Sequence, residues 1–202
     1  MKKTVFLLMI LYPIFLCAQT FNYNAQAAVE YADYWWDGRN TRDWVKDSIN
    51  YNPEYDWGFP YYNYDRHGGD CANFVSQCLK EGGWDFSAGI DGKGTGVDNR
   101  GCISGVNNIR KHLHYKGTPY VDVYYSAADD NRLYHSLGDP LFISDAKGTV
   151  RHSLICTYIN DKEALYNTHS KDYQYVRRKG FAKLMPCGTY FNLTYPAHCF
   201  NC

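Results

Sequence analysis

Long apolar runs are scarce in this 202-residue chain. After the first twenty residues none reaches about 18 apolar residues, so the body of the chain carries no signal for a membrane-spanning helix. An excess of charge of either sign is also missing: 21 Lys and Arg stand against 21 Asp and Glu. Beyond Arg177-Arg178-Lys179 there is no basic run, which argues against a nucleic-acid partner. Glycine (17) and proline (7) are too sparse for a fibrous or low-complexity protein. Internal repeats and a flexible linker are absent, and the length suits one domain with a sizeable core.

What is present begins with a leader. Lys2 and Lys3 form a positive start, Thr4 to Phe15 an apolar stretch, and "LCA" a small-residue cleavage site after Ala18. Residues 1–18 are expected to be a secretory signal peptide, and 19–202 a single secreted, extracellular domain ending in a cysteine-rich tail. With the leader gone, no membrane attachment is expected. Cys17 leaves with it, so seven of eight cysteines remain: Cys71, Cys78, Cys102, Cys156, Cys187, Cys199 and Cys202. In an oxidising compartment six of these pair readily as disulfides, and the odd one is left free. Parity does not say which. Twenty tyrosines suit either the faces of sugars and extended polar ligands or a core with an amphipathic rim.

The pattern of apolar residues predicts helices first and strands after. Ala25, Ala28, Val29, Ala32, Trp35 and Trp36 recur at helical spacing from Asn24 to Gly38. In "HGGDCANFVSQCLKEGG", Cys71, Phe74, Val75, Cys78 and Leu79 form one apolar face, and Asn73, Ser76, Gln77, Lys80 and Glu81 the other. Asp70 is a natural N-cap, and Gly82-Gly83 ends the helix. A glycine-rich loop spans 85–105, and a third helix is expected over Ile103–His114. Strands are expected at Tyr120–Tyr125, Pro140–Ser144, Arg151–Ile159, Ala164–His169, Tyr173–Arg178 and near Thr189–Thr194. This order implies an α+β domain on a mainly antiparallel sheet.

A cysteine in the first turn of a helix meets the partial positive charge of the helix end, which favours thiolate. That singles out Cys71 as a nucleophile. Cys78, two turns on, is the better candidate for a disulfide or a buried thiol. A nucleophilic thiol needs a base and a group that orients the base. His152 opens the apolar strand "HSLICTYI". After a short turn, "ALYNTHSKD" places Leu165, Asn167 and His169 on one face by two-residue alternation. Either polar residue would then accept the far N–H of His152. "HCFNC" at the end of the chain lacks the second ligand pair of a structural zinc site, so no metal or other cofactor is expected.

"GGDCANFVSQCLKEGG" resembles the nucleophile motif of the putative amidase family of papain-like fold, a relative of the NlpC-type and CHAP-type cell-wall hydrolases. "NAQAAVEYADYWW", "YNPEY", "LGDPLFI", "RHSLICTY" and "NTHSKD" are similar to further family segments and occur in family order. The resemblance implies Cys71 as nucleophile, His152 as general base and His169 as the orienting third residue, with Asn167 its rival. It implies the Cys71 backbone N–H as an oxyanion donor and amide hydrolysis through a thioester. The glycine-rich loop and the tail have no counterpart in it. The expectation is a monomeric, secreted cysteine amidase or peptidase acting on peptidoglycan stem peptides or another peptide amide. Two alternatives stand beside it: a non-catalytic cell-wall or glycopeptide-binding module on the same fold, and an acyltransferase. The lipid-acting acyltransferases place histidine before cysteine, the reverse of the order here.

Overall fold

The computed structural model describes residues 23–37, 41–43, 61–63, 70–86, 97, 101–116, 118–124, 136–169, 173–177 and 187–193. The leader, Gly68-Gly69, most of the glycine-rich loop, and Cys199 and Cys202 lie outside them.

Helix α1 (Ala25–Trp35) starts where Asn24 caps it, its side chain accepting from Ala27 N at 3.1 Å. Ala28, Val29 and Ala32 are buried on its inner side, small enough to let helix α2 (Cys71–Glu81) approach. Helix α3 (Val106–Tyr115) begins three residues later than expected. Ile103 is used otherwise: it bridges Val97, and its N–H donates to the Ser76 hydroxyl at 3.0 Å.

Short strands β1 (Thr41–Asp43) and β2 (Tyr61–Asn63) pair in parallel. The main sheet holds β3 (Tyr120–Tyr124), β4 (Pro140–Ser144), β5 (Val150–Ile159), β6 (Ala164–Thr168), β7 (Tyr173–Arg177) and β8 (Cys187–Phe191). Their spatial order is β3-β8-β4-β5-β6-β7, every neighbouring pair antiparallel. The fold is α+β, as the order of elements implies.

Strand β4 is buried along its whole length because both faces of the sheet are covered. Phe142, Ile155 and Phe191 face the helices and pack with Phe74, Val75, Leu79, Ile109 and Leu113. Leu141, Ile143, Leu154, Cys156, Tyr166 and Tyr190 form a second apolar cluster on the opposite face.

Helix α2 departs from the two-faced reading. Every residue from Cys71 to Leu79 is buried, the polar ones included. Each buried polar group must then find a partner. Ser76 donates to Asn73 O at 2.8 Å, and Gln77 Oε1 accepts from the Tyr31 hydroxyl at 2.7 Å. From Asn73 to Gln77 the polar stripe is an internal seam, and it opens to solvent at Lys80 and Glu81.

The turn before β4 is a clamp. Gly138 has φ +78°, and a Cβ there would lie 2.9 Å from Ala25 Cα. Its carbonyl accepts from the Tyr23 hydroxyl at 2.7 Å. Asp139, fully buried, accepts from Ser136 N (2.7 Å) and Leu193 N (2.9 Å), joining the start of β4 to the segment after β8.

The disulfide expectation does not hold where it is visible. No disulfide joins Cys71, Cys78, Cys102, Cys156 and Cys187, the described cysteines. Cys78 is a core side chain, and burial pushes its thiol well up.

Candidate functional site

Cys71 is the first residue of α2, packed against β5. Ser153 of β5 and the Ala72 N–H lie beside its sulfur and favour thiolate. Burial outweighs them, and the adjacent Asp70 charge adds to it, so the thiol is raised above its ordinary range. This corrects the expectation of a thiolate favoured by the helix end. The helix end is there, but the side chain is only 9% exposed, and desolvation disfavours the anion more than the amide stabilises it.

His152 lies at the start of β5, half-buried, one residue before Ser153. Its Nε2 is 3.1 Å from the Thr168 hydroxyl. That hydroxyl also contacts two carbonyl oxygens, Ser153 O at 2.8 Å and His169 O at 3.2 Å. Carbonyls only accept, so the single hydroxyl hydrogen is drawn to them and a lone pair is left facing the imidazole. Nε2 therefore carries the hydrogen of that bond, which in a neutral ring leaves the lone pair on Nδ1. This is the tautomer a general base needs.

The two side chains expected to orient His152 are engaged elsewhere. Asn167 Oδ1 accepts from Thr157 Oγ1 (3.0 Å) and Tyr175 N (2.9 Å). Its Nδ2 donates to Ala32 O (3.1 Å) and Asp33 Oδ1 (2.8 Å). Four bonds exhaust an amide side chain. Asn167 is a buried tie between β6 and α1.

His169 is likewise committed. Nδ1 is 2.9 Å from Asp70 Oδ2, Nε2 is 2.8 Å from Trp35 O, and the ring stacks on Phe74 with centroids 3.8 Å apart. Asp70 precedes α2 as expected, yet its side chain makes no capping bond. Its other oxygen accepts from Asn73 Nδ2 at 2.7 Å.

Asn167 and His169 do alternate on one face, but the β5–β6 register sets Asn167 opposite Ile155, so the residue between them, Thr168, is the one that reaches His152. Thr168 takes the orienting position. The sequence offers little signal for it beyond a hydroxyl between the two candidates.

Among the other histidines, His112 is buried on α3 beside Phe86, ring centroids 5.0 Å apart. Burial pushes it down to about 4, so it is a neutral core imidazole near pH 7. Among the described residues no group of three His, Cys, Asp or Glu side chains is placed to hold a metal ion.

The profile of a known family, described as a putative amidase domain, matches residues 22–187. The chain belongs to that family. The match spans all three helices and reaches the first residue of β8, so the putative amidase domain includes Cys71, His152 and Thr168 together. Neither a curated relative nor a solved structure matches the chain. Family membership supports amide hydrolysis as the broad class of chemistry.

Proposed function

We propose that the protein is a secreted, cysteine-dependent amidase or peptidase of papain-like architecture, akin to the NlpC-type and CHAP-type hydrolases. Its substrate class is the peptide amide, with peptidoglycan stem peptides first. One observation carries the reading: a buried thiol opens a helix packed against β5, and the imidazole at the start of that strand has its Nε2 held by the Thr168 hydroxyl.

Because the thiol is raised, the resting group is S–H. His152 Nδ1 takes that proton as the sulfur attacks the amide carbonyl carbon. The oxyanion that forms is received by the Cys71 N–H at the open end of α2. The imidazolium then gives its proton to the leaving nitrogen, the C–N bond breaks, and a thioester remains. Water attacks that carbonyl, His152 removes its proton, and the C–S bond breaks to release the acid and restore the thiol. Thr168 accepts from Nε2 throughout and steadies the imidazolium.

A binding-module reading draws on one observation, the burial that raises the Cys71 thiol. One experiment separates the two. Purified protein and Cys71→Ala are incubated with peptidoglycan, and released fragments are analysed by mass. New fragments from the wild type alone are expected, and their masses name the bond cut. The same fragments from both proteins would overturn the cysteine mechanism, and none from either would favour binding.

A further inference from the structure

The bonds of Asp70 and His169 have a consequence for the thiol between them and β5. Both partners of the His169 ring accept only: a backbone carbonyl at 2.8 Å and a carboxylate oxygen at 2.9 Å. A neutral imidazole has one N–H, so one of these contacts would set lone pair against lone pair. Two ring N–H groups, as an imidazolium carries, satisfy both acceptors at once. Both side chains are sealed from solvent, at 1% and 0% exposure, where an uncompensated carboxylate is strongly disfavoured.

We propose that His169 is a positioning residue for Cys71: held as an imidazolium against Asp70, it cancels the carboxylate beside the thiol and pins the start of α2. The pin has three anchors. Trp35 O lies at the end of α1, His169 just after β6, and Asp70 directly before α2. Phe74, one turn into α2, stacks on the ring and fixes its plane at 21°. Among the described residues, the titratable groups on the elements packed around the pair are Cys71 on α2, His152 on β5 and Asp33 on α1, the last bonded to Asn167 and the Tyr175 hydroxyl. Of these described groups, His169 is the one in direct contact with Asp70.

The inference rests on the reading of Cys71 as a nucleophile for its purpose, but its test does not. Iodoacetamide labelling of Cys71, followed by peptide mass against pH, reports thiolate whether or not any amide is cleaved. In His169→Gln the Asp70 charge is exposed to the sulfur, and labelling at pH 7.5 is expected to slow about tenfold. In Asp70→Asn/His169→Gln the charge is gone as well, and the rate is expected to return to within about threefold of wild type. A purely structural role predicts the opposite, since the double variant loses more native bonds than the single one. Labelling of His169→Gln at the wild-type rate, or a double variant as slow as the single one, would overturn the proposal. If His169→Gln does not fold, nitrogen NMR of the wild type decides. Two protonated ring nitrogens on His169 at pH 7 are expected, and one unprotonated nitrogen overturns the proposal. Loss of amidase activity with normal labelling behaviour would sink the enzyme reading and leave this one intact.

Discussion

Two ends of the same core each hold a buried cysteine and a buried carboxyl, and they treat them differently. Where α2 meets β5 and β6, Cys71 is faced by Ser153 and Ala72 donors and Asp70 is paired with His169. Along the second half of α2 and the start of β4, Cys78 is fully enclosed and raised further, and Asp139 has two N–H donors. Burial, its leading perturbation, pushes Asp139 up to about 7. Burial alone therefore does not mark a site. Convergent donors and a compensating cation do.

The sharpest way to break this comparison is to exchange the roles of the two thiols. Cys71→Ala is expected to lower amide cleavage by at least about 10³-fold, the scale of losing a nucleophile. Cys78→Ala is expected to keep the rate within about threefold and to lose about 1–2 kcal/mol of stability through a small cavity, read by urea unfolding. Equal losses of activity would erase the distinction.

The carboxyl contrast predicts a pH dependence. A carboxyl at about 7 in the fold and near 3.8 when unfolded is protonated in the native state over that interval. The native state then binds more protons than the unfolded state, so this group's contribution to stability falls as pH rises from about 4 to about 7. The fall amounts to at most about 4 kcal/mol. Urea midpoints across this range check it, and Asp139→Asn is expected to flatten the slope.

Asn167 and Thr168 sharpen the boundary between scaffold and site. Asn167→Ala leaves the Thr157 hydroxyl, Tyr175 N and the Asp33 carboxylate short of a partner, an expected loss of about 2–3 kcal/mol in stability. Thr168→Val keeps the shape and removes the acceptor for Nε2. An approximately tenfold lower kcat with KM little changed is expected, with Thr168→Ser restoring most of it.

Much of this arrangement was legible in the chain because it is local. Helical spacing located α1, and alternation with turn residues located each strand of the main sheet to within about three residues. The misread features all depend on distant contacts or on register. Asp70 looks like a cap until its partner 99 residues away is in view. The polar residues Gln77 and Ser76 of α2 are buried against partners distant in the chain, Tyr31 and Ile103. The register of β6 against β5, Asn167 opposite Ile155, gives the orienting role to Thr168 rather than to Asn167 or His169. The raised thiol of Cys71 follows from burial, which spacing along a helix does not encode.

The central claim is that Cys71 performs the chemistry while Cys78 holds the core. Partial labelling with iodoacetamide, scored by peptide mass alongside residual amide cleavage, tests it most directly. Activity is predicted to fall in proportion to the fraction of Cys71 labelled while Cys78 stays unmodified. Full cleavage by protein whose Cys71 is completely labelled would contradict it.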